Sequence, residues 1–275
     1  MKKLPIAMAG AVVVSLGTMG TAQASSFLST GIGQVGKIDT STGTFTPLNK
    51  NGITFFDIAL SNSGDLFGVT GGTTGALYSI DKNTGLSSKI GNLGVFINAL
   101  DFSNENVLYG AGDDSFYTID TSSGAASLVA KIPNFNSSGD IAFDSVNNQF
   151  FATSLSVDGS SDILFSIAND GTASEIGSIG FSDIFGLFFE NGTLFGYTAD
   201  GQQITIDPTT GAGTFSQNVA FAGINRIYGA AGFSSINVFE PMSFVLSTTV
   251  PEPMSVLSLL AVGAFGAGVL SKHKP

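Results

Sequence analysis

No cysteine, no tryptophan and a single histidine occur in this sequence. Without thiols there are no disulfide staples, thiolate metal sites or cysteine nucleophiles, so stability must come from a packed core. The one histidine, His273, stands at the C-terminal end, which excludes a Ser-His-Asp triad or a His-based metal site from the body of the chain. Lacking tryptophan, any aromatic platform for a sugar must be made of Tyr or Phe. Charged residues are only 11% of the chain, and the acids are scattered singly apart from Asp113-Asp114. Apolar residues at helical spacing are missing from every long stretch of the body.

The two ends carry targeting patterns. Lys2 and Lys3 precede an apolar run, broken only by small residues, from Leu4 to Gly20, then Ala22-Gln23-Ala24. This is the layout of a secretory signal cleaved after Ala24, served by the Sec translocon and signal peptidase. A retained membrane anchor is the competing reading, weakened by Pro5 and the interspersed Gly and Thr. Between the ends, Ser25 to Thr249 holds six Lys or Arg against twenty Asp or Glu. That length suits one all-β domain, and such an acidic surface repels phosphate backbones, which argues against nucleic-acid binding.

The body is a repeat. A β-type run followed by Asp, polar residues and Gly recurs as Gly36–Gly43, Tyr78–Gly85, Tyr117–Gly124, Phe165–Gly171 (degenerate) and Ile204–Gly211. Asp39, Asp81, Asp120 and Asp207 each stand four residues before the Gly. Asp can accept from the turn's amides while Gly takes the positive φ, so these four read as turn caps and not as catalytic acids. Between these hairpins an apolar run, a polar turn and an aromatic run recur, as in Asp57-Ile58-Ala59-Leu60 with Leu66-Phe67-Gly68. Each repeat then has about four strands.

The Asp-Gly turns begin at 39, 81, 120, 168 and 207, in steps of 42, 39, 48 and 39 residues. Four strands in that length make a β-propeller blade. The expected fold is therefore all-β, with about five four-stranded blades. The N-terminal hairpin at 36–48 and a C-terminal strand pair at 224–233 would join as the closing blade, hiding the edges. The Asp158-Gly159-Ser160-Ser161-Asp162 segment reads as an insertion, since it lacks EF-hand ligand spacing. Phe67, Phe102, Phe143, Phe188 and Phe195 read as packing between blades. The expected organisation is a signal at 1–24, a propeller at 25–235, an extra strand or linker at 236–249, and a terminal segment at 250–275.

That last segment reads Val250-Pro251-Glu252-Pro253, an apolar stretch from Met254 to Leu270, then Ser271-Lys272-His273-Lys274-Pro275. By length and by the flanking Lys it is a short membrane span with its basic end in the cytoplasm. The order of motif, span and basic tail resembles the PEP-CTERM sorting signal, although that family's tail is usually Arg-rich and here holds Lys272, His273 and Lys274. The resemblance covers only about the last 26 residues. It implies recognition by a membrane-embedded exosortase, transient inner-membrane anchoring, and delivery to the surface or extracellular matrix of a Gram-negative-type bacterium that makes extracellular polysaccharide. It implies nothing about the body's activity.

Chemistry in the body is confined to carboxylates. Asp57 and Asp140 each precede an apolar strand at matching places in their repeats, and Asp183 lies near that place in the fourth. Two readings stand: a ring of acids at one channel mouth able to hold Ca²⁺, or simple capping of strand starts. No other cofactor is called for. The expected function is a non-enzymatic surface protein whose propeller face binds polysaccharide or another envelope component. The alternative is a carboxylate- or Ca²⁺-dependent propeller hydrolase or lyase, with several acids converging in the channel.

Overall fold

The computed structural model describes residues 26–48, 52–73, 75–220 and 226–232, which hold twenty β-strands and no helix. The cleavage site at Ala22 and Ala24, the segment 236–249, the motif Val250–Pro253 and the basic tail lie outside the described residues.

Five separate four-stranded antiparallel sheets form the blades of a five-bladed β-propeller. Blade 1 orders as β20 (Ile227–Ala231), β1 (Ser26–Thr30), β2 (Val35–Asp39) and β3 (Thr44–Pro47). Blade 2 is β4 (Asp57–Leu60), β5 (Leu66–Val69), β6 (Ala76–Ile80) and β7 (Ser87–Asn92). Blade 3 is β8 (Ala99–Phe102), β9 (Leu108–Gly112), β10 (Ser115–Ile119) and β11 (Ala126–Lys131). Blade 4 is β12 (Ser137–Asp144), β13 (Gln149–Leu155), β14 (Asp162–Ala168) and β15 (Ala173–Ser178). Blade 5 is β16 (Ile184–Glu190), β17 (Thr193–Thr198), β18 (Gln202–Ile206) and β19 (Gly213–Asn218).

The closing blade is divided differently from the sequence expectation. Three of its strands come from the N-terminal side and one from the C-terminal side, where two and two were expected. The reason is that Ser26–Thr30 already forms a strand, with Phe27 and Leu28 both buried, and it pairs with β2 on one edge and β20 on the other. Ile227–Ala231 corresponds in register to the innermost strands of the other blades, so one C-terminal strand completes the sheet.

The Asp-Gly turns form as their spacing requires. The Gly amide donates to the Asp carbonyl four residues back at 2.8, 2.7, 2.7 and 2.8 Å in the turns of Asp39, Asp81, Asp120 and Asp207. Each of these carboxylates also accepts the amide two residues on, from Ser41, Asn83, Ser122 and Thr209. Hydrogen bonds from those four residues hold the carboxyls below their usual range. Gly43, Gly85, Gly124 and Gly211 have φ of 66, 75, 79 and 82°, where an L side chain is strained.

Alternate residues of each strand face opposite neighbouring blades, so the apolar core divides into five clusters, one at each seam. Phe67 and Phe102 meet across blades 2 and 3 at 5.5 Å between ring centroids, and Phe151 and Phe189 across blades 4 and 5 at 5.7 Å. Phe143 and Phe188 are buried, and Phe195 packs against Phe188. Outer edges are joined by backbone bonds, such as Ala126 N to Leu93 O (3.2 Å) and Gly213 N to Ile179 O (2.9 Å).

Because β1 is a full member of the ring, Leu28→Ala should lower unfolding stability by about 2–5 kcal/mol, similar to Leu77→Ala in blade 2. Urea unfolding of the two variants checks this. A loss below about 1 kcal/mol for Leu28→Ala alone would show that the N-terminal strand is peripheral.

Candidate functional site at the channel mouth

The innermost strands place three acids in the channel, all essentially closed to solvent: Asp57 (0% exposed), Asp101 (9%) and Asp140 (0%). Each carboxylate bridges two backbone amides that occupy equivalent places in adjacent blades. Asp57 accepts from Ile58 of its own strand and Leu100 of blade 3. Asp101 accepts from Phe102 (2.8 Å) and from Phe143 of blade 4 (2.7 Å). Asp140 accepts from Ile141 and from Leu187 of blade 5. Asp162, 2% exposed, does a related service by accepting from Ile184 N (2.8 Å) and Ser138 Oγ (3.0 Å).

The remaining two seams have no acid. Gly186 and Gly229 stand where Asp57 and Asp140 stand in their blades. A side chain at Gly229 would run into Asp57 itself, and one at Gly186 into Ala230.

Burial pushes all four carboxyls up, Asp101 to about 7 and Asp162 to about 6. Asp57 and Asp140 are both raised well above the usual carboxylate range, first by burial, and they lie within hydrogen-bond reach of each other. The charge of Asp57 raises Asp140 further. The ion pairs among the described residues, Lys131–Asp114 and Arg226–Asp183, do not reach this cluster.

Of the two readings of Asp57, Asp140 and Asp183, a Ca²⁺ ring or the capping of strand starts, these hydrogen bonds favour a backbone-binding role for Asp57 and Asp140. Asp57 and Asp140 do converge, but their oxygens are occupied by backbone amides. Asp183 sits apart on the surface at φ 55°, where Arg226 pairs with it at 3.4 Å. Its true counterpart in the repeat is not an acid: Gly186, three residues on, holds that place. No group of three or more acids among the described residues is arranged to hold a metal ion. The acid that sequence reasoning left out of the ring, Asp101, lies two residues further along its strand than Asp57, on the same face.

Above the acids, at the end of the channel where the inner strands begin, half-buried aromatic rings form an arc. Phe185 of blade 5 stacks with Tyr228 of blade 1 (6.2 Å), Tyr228 with Phe56 of blade 2 (5.8 Å), and Phe56 meets Phe96 of blade 3 edge-on (6.3 Å). Arg226 lies over Phe185 at 5.7 Å. Phe185 and Tyr228 are the extra residues of β-bulges in their strands, a device that re-aims a side chain out of the alternation. Glycines make room for the rings: a Cβ at Gly71, Gly31 or Gly139 would overlap Phe56, Tyr228 or Phe185. These aromatics were not singled out by sequence, because Phe is common in the core. For Phe56, Phe185 and Tyr228 the usable signal was a ring placed just before the Asp or Gly of the inner strand; Phe96 carries no such signal.

No protein-family model matches the chain, and no curated protein matches it in sequence. Among solved structures, it is similar to a structural-genomics protein of unknown function from Bacteroides thetaiotaomicron, with TM-score 0.53 and 15% identity over 80% of this chain and 67% of that chain. A chain of a nidogen/laminin complex gives TM-score 0.53 at 9% identity over 78% of this chain and 100% of that one. A virginiamycin B lyase from Staphylococcus aureus aligns at 14% identity and TM-score 0.44, over 68% of this chain and 63% of that one. At these identities the likeness is one of fold.

The buried acids set the pH dependence. With carboxyls raised in the folded chain, folding takes up protons between about pH 4, where unfolded Asp titrates, and about 7, where Asp101 titrates. The melting temperature should therefore rise as pH is lowered from 8 to 5, by an amount on the order of a few kcal/mol in stability. It should fall again below about 4, as the turn carboxyls are protonated. Asp101→Asn should flatten the slope between pH 6 and 8. Thermal scans across this range decide it, and a melting temperature that climbs steadily from pH 5 to 8 would contradict the buried-acid account.

Proposed function

We infer that this is an exported surface protein, sorted through a PEP-CTERM signal, whose propeller binds extracellular polysaccharide at the aromatic mouth of its channel without catalysis. The observation that carries the binding reading is the arc of Phe185, Tyr228, Phe56 and Phe96, drawn from four blades and half open to solvent. Ring faces and edges beside polar groups are what sugar rings pack on, and this chain has no tryptophan for the purpose. The export reading rests on Lys2, Lys3 and the Ala22-Gln23-Ala24 site, and the sorting reading on Val250-Pro251-Glu252-Pro253 with its basic tail.

The hydrolase or lyase alternative asks for acids open to a substrate. Asp57, Asp101 and Asp140 are closed off, with both oxygens of each accepting backbone amides. This favours a binding protein over an enzyme.

Co-sedimentation of the purified protein with the producing strain's matrix polysaccharide should retain it. A Phe56→Ala/Tyr228→Ala variant should bind about tenfold more weakly, from two lost ring contacts of about 0.5–1.5 kcal/mol each. If the wild type stays in the supernatant with every glycan tried, the binding reading fails. Fractionation tests the sorting reading separately: Pro251→Ala/Pro253→Ala should leave the protein in the inner membrane, and normal surface delivery of that variant would refute it.

A further inference from the structure

The aromatic arc is incomplete, and its gap has a polar floor. Blades 5, 1, 2 and 3 supply rings in order around the mouth, whereas blade 4 presents Ser137, Ser138 and Gly139. Blade 3 adds Asn98 at the place that Phe56 holds in blade 2, as equivalent backbone bonds show: Phe56 N donates to Val69 O (2.8 Å) and Asn98 N to Ala111 O (3.0 Å).

Asn98 is 9% exposed and donates through Nδ2 to Ser137 O at 3.3 Å, yet its Oδ1 has no partner among the described residues. Ser137 Oγ, in a residue 6% exposed, has none either. Their neighbours are fully engaged. Ser138 Oγ donates to Asp162, Thr153 Oγ1 reaches the carbonyls of Asp140 and Ile184, and Ser154 Oγ bonds both backbone groups of Asn136. A buried acceptor and a buried hydroxyl left over side by side, at a rim where the strand bulges, point to an outside group that completes them.

Three constraints narrow its chemistry. Among the described residues, the cation at this mouth is Arg226, which pairs with Asp183 and lies over the face of Phe185. The Asp162 carboxylate lies nearby and repels an anion. Beneath the mouth, the channel is filled by the buried acids and their amide bonds, so a polymer cannot thread through and only an end or branch can enter.

Resting on the reading of this mouth as a glycan face, we propose that the unpaired polar groups of Asn98 and Ser137 mark the subsite for one uncharged hexose unit at the end of a glycan chain. A sugar hydroxyl donates to Asn98 Oδ1, another accepts from Ser137 Oγ, and the apolar face of the ring lies against the aromatic arc.

The test is titration of the full-length protein, by calorimetry or NMR, with methyl glycosides of glucose, galactose and mannose and with methyl glucuronide. At least one neutral glycoside should bind about tenfold or more tightly than the uronide, and Ser137→Ala should weaken it about five- to tenfold. The same variant should melt no lower than wild type, because it removes an unpaired buried hydroxyl. Asn98→Ala gives a second reading of the affinity loss. Unchanged affinity in Ser137→Ala, or a uronide bound as tightly as the neutral sugars, overturns the proposal. If polysaccharide binding depends on Phe56 and Tyr228 but ignores Ser137→Ala, this subsite alone falls. If no glycan binds at all, the reading of the mouth falls with it.

Discussion

In a ring of sheets the innermost strand of every blade has one edge with no strand beside it in its own sheet, and the amides on that edge need acceptors from elsewhere. The carboxylates of Asp57, Asp101 and Asp140 answer this by joining register-equivalent amides of consecutive inner strands, Ile58 to Leu100, Phe102 to Phe143, and Ile141 to Leu187. Only a carboxylate has two acceptor oxygens at this separation; Asn would leave one amide without a partner. The bond therefore does more than cap a strand. It sets the spacing and register of neighbouring blades at the axis, and the seam clusters fill outward from there.

The same arrangement shapes the two seams that lack it. Gly229 has no side chain because Asp57 occupies the space a Cβ would take, and Gly186 lets Ala230 approach. Three carboxyls without a cation would repel one another if all were ionised, and burial together with that repulsion holds Asp57 and Asp140 well above the usual carboxylate range. Keeping that cluster dry needs a cover at the channel end. The arc from Phe185 to Phe96 stands at that end.

Much of this was legible in the sequence, for physical reasons that are uneven. The Asp-to-Gly spacing reports a local turn whose hydrogen bonds close within five residues, so blade number and turn role could be read directly. Asp57 opens its strand as expected, whereas Asp140 lies inside β12, which already begins at Ser137. Their partners were not legible, because a bond from Asp57 to the amide of Leu100, 43 residues away, leaves no trace in local pattern. Asp183 was grouped with them because the bulge at Phe185 shifts the register of that strand against its repeat. The division of blade 1 was misjudged because a five-residue strand beginning at Ser26 adjoins the expected cleavage site and resembles its small, apolar flank.

The opposite end of the channel sharpens the contrast. There the turns between the first two strands repeat, and Asn62 and Asn104 each bond carbonyls of the next blade's turn, at Ser103 and Ser145. Such regularity is what stapling blades together demands, and a structural role accounts for it fully. At the aromatic end, bulges interrupt blades 1, 4 and 5, rings replace one another irregularly, and two polar atoms remain unpaired. Repetition around the ring is sufficient for folding, so departures from it that add buried cost without improving packing call for another explanation. Ser103 Oγ at the opposite end and Asn169 Oδ1 are unpaired as well, so it is the coincidence of bulges, rings and unpaired polar atoms at this one mouth that supports the proposed recognition there and not at the acids beneath.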